Sequence, residues 1–213
     1  MQYLSALGVR ATYTYRSEEN HVKFEGHDGV LMDIASPSGS TYNHLGNPDV
    51  LLHLAWGGLP NYKSNHHLNE ELPLQYRFLS ELVNQGLKSL VVTGTCFEYG
   101  MQEGALCANS QTNPSNSYGF AKDSLCKQLL SLKLKKHFNF TWARLFYMYG
   151  SGQSETSLFP SLVRSVQNGD SKFRMSSGEQ IRDFLPVEEV AKRLVNIALK
   201  IPNTGVVNIC SGN

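Results

Sequence analysis

A chain of 213 residues is long enough to bury a substantial core and fits one domain, or one domain with a small appendage. With 19 lysines and arginines against 18 aspartates and glutamates, and 41% hydrophobic residues, it is neither a disordered chain nor a strongly basic nucleic-acid binder. No apolar run approaches the length that crosses a bilayer, so neither nucleic acid nor membrane is expected as a partner. Cys96, Cys107, Cys126 and Cys210 are widely spaced, without a Cys-x-x-Cys pair. That usage predicts a reducing, cytoplasmic setting rather than a disulfide framework. His66 and His67 are adjacent and lack the i, i+4 spacing of a helical metal site, so no metal is expected.

The chain alternates strands and helices. Residues 1–8 read as the end of a helix stopped by Gly8, and β-rich runs follow over 9–15 and 29–34. Residues 49–55 are almost continuously apolar, as in a strand buried on both faces. Residues 68–85 are amphipathic, with Leu72, Tyr76, Leu79, Leu82 and Val83 on one stripe and Gly86 as the stop. A second buried strand is expected over 87–93, then a polar loop over 103–116, a helix over 117–136 and a strand over 140–147. Beyond Gly150 the pattern predicts a helix over 157–167, extended pieces over 172–184, a helix over 187–200 and a last strand over 206–209. This alternation predicts an α/β fold with a parallel sheet.

Tyr118 and Lys122 lie four residues apart, one above the other on a helical face. A nearby ammonium favours phenolate, so the pair predicts a phenol that exchanges a proton nearer neutral pH than its free value of about 10. The hydroxyl of Thr95, on the preceding strand, can hold the same substrate oxygen. Alone, Tyr-x-x-x-Lys is a weak signal, and the neighbouring segments decide its meaning.

Those segments resemble the extended short-chain dehydrogenase/reductase family, the NAD-dependent epimerase/dehydratase group, along nearly the whole chain. Leu51-Leu-His-Leu-Ala-Trp56 resembles the segment that passes under the nicotinamide ribose. Val91-Val-Thr-Gly-Thr-Cys-Phe-Glu-Tyr-Gly100 resembles the strand whose Ser or Thr stands four residues before a Tyr-Gly pair. The stretch from Pro114 to Lys122 resembles the family's entry to the Tyr-x-x-x-Lys helix. Arg144-Leu-Phe-Tyr-Met-Tyr-Gly150 resembles its Arg-x-Phe-x-x-Tyr-Gly strand, and Gly178-Glu-Gln-Ile-Arg-Asp-Phe-Leu-Pro-Val187 its Arg-Asp-Phe segment.

The resemblance implies a Rossmann-like, doubly wound parallel sheet over residues 1–149 and a small substrate-binding part over 150–213, partly returning to the sheet. It implies Tyr118 as the acid/base, Lys122 as the holder of the nicotinamide ribose and depressor of the tyrosine pKa, and Thr95 as the group orienting the reacting oxygen. Arg16, Asp33, Ile34, Leu54, Ala55, Trp56 and Thr93 join Tyr118 and Lys122 on the cofactor side. Thr95, Cys96, Tyr147 and Arg182 fall on the substrate side, with Arg182 suited to a phosphate. Plainer readings stand beside these: Thr95 as a strand-end hydroxyl, Arg182 paired with Asp183, Tyr147 as packing, and Cys96 as a structural thiol.

The sequence departs from the family pattern in several places. The expected opening strand and glycine-rich phosphate turn are not found, so the chain is expected to begin within the first βαβ unit and to end short of its relatives. Gly150-Ser-Gly-Gln lacks a third glycine and is not expected to bind phosphate. Glu70 or Glu71 stands near a cofactor-side asparagine position. Arg16, where an acidic residue usually binds a ribose diol, favours NADP(H) over NAD(H). Thr95-Cys96-Phe97 replaces the Thr-Asp-Glu of the family's dehydratases, which argues against dehydration. The implied activity is reduction of the C4 ketone of a nucleotide-activated 4-keto-6-deoxyhexose, with a dTDP-sugar first, in surface-polysaccharide (O-antigen) sugar biosynthesis. The alternatives are a nucleotide-sugar 4-epimerase and, in another class, an inactive fragment or non-enzymatic partner subunit. The resemblance also implies a homodimer through the helices over 68–85 and 117–136.

Overall fold

The computed structural model describes residues 1–36, 40–200 and 203–212. The chain opens with α1 (Gln2–Ala6) and the strands β1 (Thr12–Tyr15) and β2 (Asp28–Leu31). A single turn, α2 (Thr41–His44), leads to β3 (Val50–His53), α3 (Leu72–Gln85), β4 (Ser89–Thr95), α4 (Ser117–Lys133) and β5 (Asn139–Leu145). Then come β6 (Tyr147–Tyr149), α5 (Leu158–Gln167), β7 (Phe184–Pro186), α6 (Val187–Lys200) and β8 (Gly205–Ile209). The central sheet is parallel, in the order β3-β4-β5-β8, while β1-β2 and β6-β7 form separate parallel pairs.

All seven residues of β4 are buried, because helices cover the sheet on both faces. Leu90 and Val92 pack with Leu79, Leu82, Leu125 and Leu129 of α3 and α4, together with Phe140 and Trp142. Val91, one step out of phase, packs with Ala143, Ile209 and the α6 residues Val190, Leu194 and Ile197. Alternate residues therefore fill two cores, as the pleat requires. This is a Rossmann-like α/β arrangement with parallel sheets. None of its described helices is long and apolar enough to cross a membrane.

Several expected boundaries move for local reasons. The strand expected over 49–55 ends at His53, and Leu54 is 60% exposed. β3 packs on both faces as expected, Leu51 on one core and Val50 and Leu52 on the other, but among the described residues it pairs only with β4, which leaves it half-buried. The strand expected over 29–34 ends at Leu31, since Asp33 turns back to accept the Ala35 N–H at 2.9 Å. The strand expected at 87 starts at Ser89, because the Leu87 N–H is used to close α3 on the Leu82 carbonyl. The strand expected to reach 147 breaks after Leu145: the Phe146 N–H turns to the Ile209 carbonyl and that of Tyr147 to Asp183. The helix expected over 68–85 begins instead with a π-helical turn, His67–Glu71. Pro73, just beyond it, has no N–H for the ladder. The helix expected to reach 136 ends at Lys133. α2 was not legible from local pattern; its Tyr42 N–H donates to Gln85 of α3 at 2.9 Å.

Leu79 is fully buried where α3 meets α4 and β4. Leu79→Ala is expected to destabilise the chain by about 2–5 kcal/mol, seen as a lower urea midpoint with an unchanged slope.

Candidate active site

The site forms at the carboxyl end of β4, where the chain leaves the sheet in a tight turn, Cys96–Glu98. Thr95 caps that turn: its Oγ1 accepts the Phe97 N–H at 3.3 Å. The same side chain stands beside the Tyr118 phenol and favours its ionised form. Tyr118 stands in the first turn of α4, whose cap Asn116 accepts the Gly119 N–H at 2.8 Å. Gly119 lies so close to the Phe97 carbonyl that any Cβ there would collide with it. That contact docks the helix start against the turn and brings Tyr118 to Thr95.

The Tyr118 phenol is raised rather than lowered as expected: burial pushes it well above its ordinary range, and Thr95 opposes that rise. Lys122 is engaged elsewhere. Its ammonium turns inward, donating to the Thr93 carbonyl at 2.8 Å and lying 4.1 Å from the centre of the Trp56 ring. Burial lowers Lys122 to about 7, against the opposing pull of Glu98 and Glu71. The phenol is thus held protonated and the ammonium sits at the edge of its charged range.

Aromatic rings enclose the phenol. Trp56, Tyr62, His67 and Phe97 lie with ring centroids 5.9, 5.5, 5.3 and 6.2 Å from that of Tyr118. Tyr62 was not anticipated. It arrives on the loop after β3, which is tied to α4 by the Tyr118 N–H donating to the Tyr62 carbonyl at 3.0 Å. His67 is fully buried; its Nδ1 accepts the Trp56 indole N–H at 3.1 Å and its Nε2 meets the Asn61 carbonyl at 2.9 Å. It therefore orients Trp56. Behind Trp56, Glu71 holds Gln75 at 2.9 Å, and Gln75 holds His53 at 2.6 Å. Burial alone would raise the Glu71 carboxyl, but Gln75, the Gly57 N–H and His66 together hold it below its usual range. Burial, with Lys122 nearby, lowers His53 to about 4, so the imidazole is neutral.

On the substrate side, the half-buried Tyr147 packs on Phe184 and faces Phe97, with the Arg182 guanidinium 5.2 Å from its ring centre. Arg182 is exposed and bonds Gln180 at 2.8 Å. It does not pair with Asp183, whose carboxylate accepts from Ser211 and Gly212 instead. Cys96 is half-buried beside the site, its thiol pushed up to about 11 by burial. A thiol so raised stays protonated and is not a thiolate nucleophile.

The expected cofactor-side set divides. Trp56, Lys122 and Tyr118 come together. Thr93 is buried beneath them, and its hydroxyl donates to the His53 carbonyl at 3.2 Å, so it supports Lys122 through its own carbonyl rather than reaching outward. Leu54 and Ala55 are exposed just past the end of β3. Arg16 is exposed just beyond β1. Asp33 is exposed beyond β2, and Ile34 packs against the α3 core. A nicotinamide ribose fits the donor set: Lys122 has three N–H donors, and among the described residues Thr93 takes one.

Comparison with known proteins agrees with this architecture. The sequence profile of the NAD dependent epimerase/dehydratase family matches residues 2–210. The dTDP-6-deoxy-L-talose 4-dehydrogenase (NAD(+)) of Aggregatibacter actinomycetemcomitans is 30% identical over 167 residues, 78% of this chain and 61% of that protein. The GDP-6-deoxy-D-talose 4-dehydrogenase of the same organism is 25% identical over 215 residues, 97% of this chain and 71% of that protein. In fold, the chain is similar to MoeE5 in complex with UDP-glucose and NAD, with a TM-score of 0.81, 22% identity, and coverage of 100% of this chain and 71% of that one. On these grounds the chain belongs to the NAD dependent epimerase/dehydratase family.

Proposed function

We propose that this chain carries the chemical half of a nicotinamide-dependent oxidoreductase that reduces the C4 ketone of a nucleotide-activated 4-keto-6-deoxyhexose. The observation that carries the reading is a buried phenol, Tyr118, beside the Thr95 hydroxyl at the carboxyl end of a central parallel strand. A phenol held in its acid form is ready to give its proton to the alkoxide that appears at C4. The relatives named as 4-dehydrogenases of 6-deoxytalose sugars support the substrate class, since oxidation of a C4 hydroxyl and reduction of a C4 ketone are one reaction in opposite directions.

In this mechanism Thr95 orients the ketone oxygen, Tyr118 supplies its proton, and Lys122 offers its remaining donors to the ribose hydroxyls of the dinucleotide. The bound nicotinamide supplies the hydride. The ring wall of Trp56, Tyr62 and Phe97 excludes water and presents an apolar surface to the sugar. Arg182, stacked on Tyr147, is the side chain for the substrate's phosphates. On this reading the reaction is cytoplasmic and the chain works as a homodimer.

Arg16 supports NADP(H), because an exposed guanidinium beyond β1 can pair with a 2′-phosphate. The NAD(+) in the name of the 30% identical relative supports NAD(H). Following nicotinamide absorbance with a dTDP-4-keto-6-deoxyhexose and each dinucleotide tests both points. Turnover with consumption of the reduced cofactor supports the reductase. Isomerisation of the nucleotide sugar without net consumption supports the 4-epimerase alternative and removes the reductase. Arg16→Ala is expected to lower kcat/KM for NADPH about tenfold and to leave NADH unchanged; equal effects on both would remove the NADP reading.

A further inference from the structure

We propose that the buried ion pair between Glu98 and Arg144 is a positioning device that holds the Thr95 turn beside Tyr118 and keeps the Lys122 ammonium charged for the ribose it would bind. The proposal rests on the functional reading above. Both side chains are buried, and neither carries a role in the reaction so far.

Glu98 and Arg144 are 0% and 5% exposed, and Arg144 Nε donates to Glu98 Oε2 at 2.6 Å. The carboxylate is fully committed. Its Oε1 accepts the Thr95 N–H at 2.8 Å, and the Trp142 indole N–H reaches both oxygens at 2.9 and 3.1 Å. Thr95 and Glu98 thus bond each other's turn reciprocally, the side chain of each serving the backbone of the other's end. The carboxylate behind the strand holds the Thr95 backbone N–H, and the turn it closes places the Phe97 N–H against Thr95 Oγ1. Gly94 has no room for a Cβ, which would strike both Trp142 and Glu98. The packing between strand and carboxylate is therefore close.

Arg144 anchors the other side of the device. Its Nη1 donates to the Tyr99 hydroxyl and the Ala108 carbonyl, each at 3.0 Å, and Tyr99 in turn donates to Asn208 at 2.6 Å. β4, β5, β8 and the long loop before α4 are thereby locked around one charge pair. A buried pair is costly relative to an apolar replacement, so core stability alone gives little reason for it here.

The second effect is electrostatic. Lys122 is enclosed by the rings of Trp56 and Trp142, and Trp142 is the group that touches Glu98. The charged or titratable groups acting near it from other elements are Glu98 after β4, Glu71 before α3, and His53 on β3. On α4 itself the titratable residues near it are Tyr118, Asp123 and Cys126; the Asp123 carboxylate is bonded by Lys127 at 2.6 Å, and burial pushes the Cys126 thiol up to about 12, so it stays neutral. Glu98 and Glu71 favour the ammonium; His53, held neutral, adds no positive charge. Removing the Glu98 charge therefore makes Lys122 harder to keep protonated.

The test uses Glu98→Gln and the neutral pair Glu98→Gln/Arg144→Met, the second because the first alone strands a buried guanidinium. Two readouts are taken on the full chain: steady-state kinetics, and the titration of Lys122 by NMR of side-chain-labelled lysine without cofactor, assigned with Lys122→Met. For folded variants the expected result is a kcat loss of about 10- to 100-fold with KM nearly unchanged. The Lys122 midpoint is expected to fall by about one pH unit in Glu98→Gln and to stay below wild type in the double variant. A folded double variant with wild-type kcat and a wild-type Lys122 midpoint overturns the proposal and leaves the pair as scaffold. A wild-type chain without nicotinamide-linked turnover defeats the functional reading, and the Lys122 midpoints then decide this inference by themselves.

Discussion

Tyr118→Phe is expected to lower nicotinamide-linked turnover by about 10²–10⁴-fold, the range spanned by a positioned general acid. The variant should remain folded and keep its affinity for the nucleotide sugar, because the ring contacts with Trp56, Tyr62, His67 and Phe97 survive loss of the hydroxyl. The pH dependence follows from burial, which keeps the phenol protonated. Reduction uses that acid form, so its rate should be nearly flat through the neutral range as far as Tyr118 is concerned. Oxidation in the reverse direction uses the phenolate and should rise with pH. Equal rates for wild type and Tyr118→Phe, measured by stopped-time assay in both directions, would remove the tyrosine from the mechanism. A profile with the opposite slopes would show that the phenol is not held in its acid form.

The elements that carry this chemistry were legible because they combine local pattern with local chemistry. α6 was placed at its observed bounds from its apolar stripe alone, and Gly86 ends α3 as expected. Tyr118, Lys122 and Thr95 were legible for the same reason: a helical i, i+4 pair and a strand-end hydroxyl need only secondary structure to be brought close. What sequence spacing does not carry is the direction of a long side chain. Lys122 follows the i, i+4 geometry yet turns beneath Trp56, because the Thr93 carbonyl and two indole faces lie inward. Tyr62 and His67 were missed since their loop reaches Tyr118 only through tertiary docking. Glu98 turns into the core, to partners in β5 that no local window contains.

Lys122 gives the second large effect, and here stability and function are expected to move in opposite directions. Burial holds its folded pKa at about 7 against an ordinary value of 10.5. Between those values the unfolded chain binds more protons than the folded one, so wild-type stability rises with pH across that window. Below about pH 7 the ammonium is charged in both states, and the burial cost is present in full. At about 1.4 kcal/mol per pH unit that cost is about 5 kcal/mol, offset in a Met variant by about 1–3 kcal/mol for the hydrogen bond lost at the Thr93 carbonyl. Lys122→Met is therefore expected to be more stable than wild type by about 2–4 kcal/mol near pH 6, with the gap closing as pH rises and reversing by about 1–3 kcal/mol at pH 10.5, where the lost hydrogen bond alone remains. The same variant should lose the ribose contact and nearly all turnover, as expected of a residue retained for chemistry at the expense of stability. Urea unfolding at pH 6, 8 and 10 checks the first part, and nicotinamide absorbance the second. A variant no more stable than wild type at pH 6 would show that Lys122 is not a strained buried cation. Full turnover in a stabilised variant would show that the strain serves no catalytic end.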